Sequence, residues 1–263
     1  MSGFFLLCPL PPEAAAAKAG LLLHERPRHG HAATGSTASG RIRVVGMGTE
    51  RARRACGRLA ASLPDGVPVV VLGVAGALTT GFEAGDLVVA DALGFADVQP
   101  GGDELAVAYA PRPFDRRSEA FAASLAIALD DRPLPTRRAP VLTATRTVRG
   151  NERARLAETG AMICDTESAA LLPLAERRPF AVVRAVVDSP DRELVSLRTV
   201  TGGISALKRL ADAAQIIAGV VERQGTGASE RPSTPSTEPL SFDRSTSNPQ
   251  SIQFSQPISP TPS

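Results

Sequence analysis

Short, almost wholly apolar runs alternate with amphipathic stretches along most of this chain, and that alternation limits the fold more than any single motif. The apolar runs are Phe4–Leu7, Ile42–Val45, Val67–Val74, Leu87–Ala90, Val141–Thr143, Ala161–Cys164 and Phe180–Val187. They are short, rich in β-branched residues, and several are apolar at consecutive positions. Strands covered on both faces read this way. Between them, helical spacing is expected over Pro12–Leu23, Glu50–Leu63, Arg117–Leu129, Asn151–Thr159, Glu167–Glu176 and Ser205–Glu222. Thr49 and either Asp165 or Thr166 are candidate N-caps, and Pro64 is a stop signal. The expected fold is a single-domain three-layer α/β/α with a mostly parallel central sheet.

Two segments break the pattern. From Gly225 onward the chain is mostly Ser, Thr, Pro, Gln and Asn. Such a segment buries too little apolar area to offset its ordering entropy. The division expected is therefore a folded domain over 1–223 and a disordered tail over 224–263. The second break, Glu25–Gly40, is rich in Pro, Gly and small polar residues and reads as a loop. It carries His29 and His31, with His24 just before, but no Cys or carboxylate at ligand spacing accompanies them. These are read as solvated histidines, and no metal site is expected.

Several function classes fall away on charge and composition. With 29 basic and 27 acidic side chains, the net charge is +2. That is too small a field for phosphate-backbone binding, so no nucleic-acid partner is expected. Cys8, Cys56 and Cys164 are odd in number and none stand at metal-ligand spacing, which fits reduced thiols and a cytoplasmic setting. The apolar stretch Val67–Leu78 is too short for a bilayer, which takes roughly 20 residues. The apolar start lacks a basic n-region and a small-residue cleavage pattern, so it is read as a first strand.

In open α/β sheets, ligands bind beyond the carboxyl ends of the strands. Four strand exits carry chemistry. At Gly46-Met47-Gly48-Thr49 a dinucleotide fingerprint fails, because Arg51 occupies the place of its third glycine. What remains is either a helix N-terminus offering N–H groups to a polar ligand or a plain tight turn. At Gly73-Val74-Ala75-Gly76 small residues either let a flat ligand approach the backbone or simply make a crowded turn. At Asp165-Thr166-Glu167-Ser168, Glu167 either serves a ligand or only answers the helix dipole. In the run Phe180–Val187, Arg184 demands a carboxylate partner or a ligand, since an unpaired buried ion is very costly. Asp188 follows at the exit of that strand.

In this order and spacing, the four places resemble the nucleoside phosphorylase and nucleosidase superfamily, of the purine nucleoside phosphorylase and methylthioadenosine nucleosidase type. The resemblance runs from Phe4 to Val221. It rests on Asp165-Thr166-Glu167-Ser168-Ala169-Ala170, on Arg184-Ala185-Val186-Val187-Asp188, on the Gly73–Leu78 turn and on Glu13 just after the first strand. Gly46-Met47-Gly48 and Asp188-Ser189-Pro190-Asp191 look most like the hopanoid-biosynthesis-associated phosphorylases, which act on adenosylhopane and release adenine. Four positions depart from the superfamily pattern: Thr166 replaces a Met, Val71 and Val74 stand where phosphate is held, and Thr147 lies near where an aromatic stacks on the base. Arg146 or Arg149 is an alternative anion contact.

The resemblance implies cleavage of the N-glycosidic bond of a purine-type nucleoside, by water or by inorganic phosphate as co-substrate, with no other cofactor. Asp188 would protonate the departing base, which requires a desolvated pocket to keep it neutral. Glu13 would activate water. Glu167 would accept hydrogen bonds from the ribose hydroxyls, beside Thr166. Ala75, Gly76, Gly46, Gly48 and Arg184 complete the expected binding set. Self-association into a homo-oligomer is also implied. The alternative, motivated by Thr166 and Val74, is a nucleoside-binding or protein-interaction module of the same fold without turnover.

Overall fold

The computed structural model describes residues 3–24, 40–98, 105–132, 134–190 and 198–227. In chain order these form β1 (Phe4–Cys8), α1 (Pro11–His24), β2 (Gly40–Val44), α2 (Thr49–Ser62), β3 (Val69–Ala77), β4 (Leu87–Val98) and β5 (Leu105–Pro113). Then come α3 (Arg116–Asp130), β6 (Thr136–Ala144), α4 (Asn151–Ala157), β7 (Ile163–Asp165), α5 (Ser168–Leu171), β8 (Phe180–Asp188) and α6 (Arg198–Gly227). A 3-10 turn, Leu172–Glu176, continues α5. The described residues belong to one unit, Met1–Glu230. The histidine-bearing loop and the segment read as a tail lie outside the described residues, except that α6 runs to Gly227, past the expected boundary at 223.

Parallel pairing dominates the sheet: β1 with β2 and β3, β3 with β8, β4 with β6, and β6 with β7. β7 against β3, β5 against β4 and β8 against β4 are antiparallel. Five of these strands close a circuit, because β3 meets β8, β8 meets β4, β4 meets β6, β6 meets β7, and β7 returns to β3. The sheet is thus partly rolled up rather than open. β2 and β5 are left on its flanks. β2 was expected to be covered on both faces, yet Val44 is 52% exposed, as befits a flanking strand. β5 is not signalled in the sequence: Pro111 and Pro113 fall within it, and proline is tolerated only on such outer strands.

Strand alternation sorts the core into layers. Phe4, Leu6 and Cys8 of β1 pack with Val70 and Leu72 of β3 against α1, α3 and α6. Phe5, Leu7, Val69 and Val71 face the other way, toward α2 and the turn after α5. α2 buries Ala52, Ala55, Cys56 and Leu59, the i, i+3, i+4, i+7 stripe that one helix face requires. A third cluster joins the far ends of β4 and β6 to α4. Among the described residues no helix is long and apolar enough to cross a membrane. The three cysteines are buried free thiols, and burial pushes the Cys8 thiol up to about 12.

The expected N-caps differ from those observed. Thr49 is the first residue of α2 and Gly48 its cap, while the Thr49 hydroxyl donates to the carbonyls of Thr166 (2.9 Å) and Ala144 (3.3 Å). That tie fastens the start of α2 to the β7–α5 junction, where the site lies. At the other end of α2, buried Arg178 donates to the carbonyls of Pro64 (3.0 Å), Ala60 (3.2 Å) and Leu63.

Close packing of α1 on α6 depends on Gly20, where a Cβ would overlap the carbonyl of Ala211. Both clashing partners are helix backbone and neither can swing away. Gly20→Ala is therefore expected to cost at least the ~3 kcal/mol at the upper end of overpacking. Gly57→Ala on α2, where nothing stands within 4 Å, is expected to stabilise by ~0.4–1 kcal/mol. Urea unfolding of the two variants should give shifts of opposite sign; equal shifts would contradict the packing account.

Candidate active site

The carboxyl end of β3 is where distant parts of the chain meet. There β3 pairs on one side with β7, Gly76 opposite Cys164, and on the other with β8. The β3–β8 register shifts at this point, Ala75 facing Val186 and Gly76 facing Asp188. One residue of β8 is thus left over. A bulge breaks the two-residue alternation of a strand, and here both Val187 and Asp188 line the same cavity. Gly76 has to be small: a Cβ on it would stand 2.7 Å from Asp188 Oδ1.

The cavity so formed is about 350 Å³, within the roughly 300–1,000 Å³ of small-molecule sites. Its walls are largely apolar, with Leu10, Met47, Ala75, Ala77, Leu78 and Val148 prominent among them. Three carboxylates from far-apart positions in the chain, Glu13, Glu167 and Asp188, also line it, as do Thr166 and Asp165.

Glu13 sits in the first turn of α1 and is 2% exposed. Its Oε2 accepts from Leu10 N–H (2.7 Å) and its Oε1 from Val74 N–H (2.8 Å). Two main-chain donors therefore fix its orientation, and each oxygen keeps a further lone pair. Burial raises the Glu13 pKa, opposed by the nearby Arg184 charge and by the two N–H groups.

Glu167 stands at the turn into α5. Its Oε1 accepts from Gly48 N–H (2.8 Å) and from the Thr166 hydroxyl. The Gly46-Met47-Gly48 turn, with φ of +91° at Gly46 and +94° at Gly48, thus spends an N–H on Glu167 rather than offering it to a ligand. Burial raises the Glu167 pKa, Asp165 adds to the rise, and Arg184 opposes it. Beneath lies a buried polar frame. Asp165 Oδ1 accepts from Thr143 Oγ1 (2.8 Å) and from the N–H groups of Glu167 and Ser168 (both 3.1 Å). Arg184, 0% exposed, reaches Asp165 Oδ2 at 2.8 Å, Ser168 Oγ at 2.9 Å and Glu167 Oε2 at 3.4 Å.

Asp188, 4% exposed, is in a buried ion pair with Arg153 of α4. Arg153 is 3% exposed and also donates from Nη1 to the Ala77 carbonyl (3.0 Å). A guanidinium in contact favours the ionised form of a carboxylate. The environment expected for Asp188, a desolvated pocket that keeps it neutral, is thus met only in part: the carboxylate is buried but has a cation against it.

Of the residues expected at the site, Glu13, Thr166, Glu167, Ala75, Gly76 and Asp188 come together around the cavity. Arg184, Gly46 and Gly48 stand behind its wall. Arg184 is the frame's cation rather than a binding residue, and Gly48 acts through Glu167. Arg146, the alternative anion contact, lines the cavity but is tied to Glu152, and exposed Arg149 lies outside it. Thr147, one of the departures from the superfamily pattern, lines the wall. Arg153 and the frame role of Asp165 are not singled out in the sequence. The signal for Arg153 is its spacing from buried Leu156, three positions on, which puts it on the inward face of α4.

Similarity to known proteins agrees with this architecture. The futalosine hydrolase of Helicobacter pylori strain 26695 superposes with a TM-score of 0.61 at 16% identity, covering 85% of this chain and 98% of that one. The S-adenosylhomocysteine nucleosidase of Streptococcus pyogenes, in complex with 5-methylthiotubericidin, superposes at 0.61 with 20% identity, over 84% and 97%. The 5'-methylthioadenosine/S-adenosylhomocysteine nucleosidase of Neisseria meningitidis, in complex with methylthio-immucillin-A, gives 0.60 and 17%, over 85% and 100%. At such identities the likeness is one of fold. No curated protein matches the chain. The family model of the phosphorylase superfamily matches residues 4–222, and the chain belongs to that superfamily.

Proposed function

We propose that the protein hydrolyses the N-glycosidic bond of a purine-type nucleoside. The observation that carries this reading is the convergence of Glu13, Glu167 and Asp188, buried and far apart in sequence, on one cavity. Breaking the bond leaves cationic character on the sugar and negative charge on the base. Glu167 is placed to accept from ribose hydroxyls and to offset the sugar's charge. Glu13, on another wall, takes a proton from water as its oxygen attacks the anomeric carbon. Asp188 and its arginine partner face the base. Water rather than phosphate is favoured because the arginines lining the cavity are engaged: Arg153 with Asp188 and Arg146 with Glu152. The reaction as written needs no cofactor. The apolar walls suit a nucleoside with an apolar 5′ substituent, and adenosylhopane belongs among the candidates. Self-association and a cytoplasmic setting are part of the same proposal.

The test is base release from a panel of adenosine and inosine derivatives, with and without inorganic phosphate. The expected result is release at equal rates in both, with free sugar as the second product. Release only with phosphate would make the protein a phosphorylase. No release from any substrate would leave the second reading, a binder without turnover, which the Asp188–Arg153 pair favours because it opposes a protonated Asp188.

A further inference from the structure

We propose that Thr166 sets how strictly the site demands both hydroxyls of its sugar, by holding one acceptor position of Glu167 itself. The inference rests on the glycosidic-cleavage reading and deepens it, assigning the control of sugar selectivity to a residue that acts through Glu167. An ionised carboxylate accepts through two oxygens with about four lone pairs. Glu167 Oε1 already accepts from Gly48 N–H (2.8 Å) and from the Thr166 hydroxyl. Both of its lone pairs are therefore used within the protein. Oε2 faces Arg184 Nη2 at the long distance of 3.4 Å, and one lone pair remains on it.

Both donors on Oε1 are held in place. Gly48 N–H belongs to the main chain of a turn, with φ of +94°, and cannot swing away. Thr166 is half-buried, and its carbonyl accepts from the hydroxyl of buried Thr49 (2.9 Å), which fixes the backbone under the side chain. A β-branched residue on a fixed backbone has few rotamers. Thr166 and Glu167 both line the cavity, so a sugar resting on Glu167 meets this arrangement directly. The neighbouring hydroxyls of a ribose then find one vacant lone pair, on Oε2. A second hydroxyl reaches Oε1 only by displacing Thr166, which exchanges one hydrogen bond for another and gains little. A sugar lacking that hydroxyl leaves Thr166 where it is, and no buried acceptor goes unpaired. Strong rejection of a substrate that lacks a hydroxyl comes from polar groups left unpaired in the site, and Thr166 prevents that here.

The experiment measures kcat/KM for adenosine and for its 2′-deoxy and 3′-deoxy forms, with wild-type protein, Thr166→Val and Thr166→Ser. Losing a hydroxyl also alters the intrinsic reactivity of the glycosidic bond, but equally for every variant. The change between variants in the ratio of ribo- to deoxynucleoside therefore reads the site alone. Valine keeps the shape and removes the donor, leaving on Oε1 a lone pair that a sugar hydroxyl fills. The ratio is expected to rise roughly 10–100-fold in Thr166→Val for at least one of the deoxy forms, the contribution of one hydrogen bond to a charged group. Thr166→Ser, which keeps a hydroxyl, is expected to restore most of the wild-type ratio. Partial misfolding lowers all three rates together and leaves the ratio unmoved, and thermal melting checks the fold. Ratios unchanged in Thr166→Val for both deoxy forms would overturn the proposal. A fall would overturn it too, because the Thr166 hydroxyl would then serve the sugar directly. If the wild-type protein cleaves no nucleoside, the cleavage reading falls, and the same ratios taken from Kd by calorimetry decide the role of Thr166. Absence of binding as well as of cleavage would overturn both.

Discussion

Glu13→Gln is expected to lower base release by roughly 10²–10⁴-fold, the usual contribution of a general base. The substitution keeps the size of the side chain and removes only its capacity to take a proton. One main-chain N–H, of Leu10 or Val74, then faces an amide NH₂ instead of an oxygen, which costs on the order of 1–3 kcal/mol. The variant should therefore fold with a modestly lower Tm and bind substrate, while turnover collapses. Its pH profile carries further information. Glu13 works as a base only when ionised, and burial raises its pKa above the ordinary 4.5. Wild-type rate should then climb with pH through a value above 4.5. In the variant that contribution disappears, and whatever limb survives belongs to Glu167, whose pKa is raised in the same direction. A kcat within a few-fold of wild type, with the limb intact, would remove Glu13 from the mechanism.

The largest expected effect on stability is at Arg184, and it differs from what the other arginines would show. Arg184→Met leaves Asp165 and Glu167 buried without the cation now 2.8 and 3.4 Å away. Breaking a buried pair from one side costs about 3–5 kcal/mol, a fall in Tm on the order of 10 °C for a domain of this size. Arg138→Met is the comparison. Arg138 and Glu119 make a close pair at 2.7 and 2.8 Å, but both are partly exposed, so the change should stay within ~1 kcal/mol. Differential scanning calorimetry of the two variants separates geometry from burial. If Arg184→Met costs no more than Arg138→Met, the frame beneath the site is not what holds Glu167 in place.

Much of the site was legible because strand exits are legible. An apolar run followed at once by Asp, Glu or Gly marks a carboxyl end, and such ends carry ligands in α/β folds. Glu167 and Asp188 surfaced by that rule, and Glu13 through the resemblance to the superfamily. Arg184 surfaced too, as a charge in an apolar strand, but its two readings could not be separated without its neighbours. The structure chose the structural one by bringing Asp165 into contact from β7, nineteen residues earlier in the chain. Arg153 escaped because α4 carries Arg153 and Arg155 in one short helix, and only packing buries the first.

What the chain specified by itself was local and periodic: which stretches are strands or helices, which face of each is apolar, and which acids stand at strand ends. Those follow from side-chain chemistry within a few residues. Tertiary structure decided the rest. The circuit from β3 through β8, β4, β6 and β7, and the β-bulge opposite Gly76, bring Asp188 beside Gly76 and place Arg153 against it. Pairing register and the partners of buried charges depend on segments from about twenty to more than a hundred residues apart, whose mutual desolvation no local pattern records.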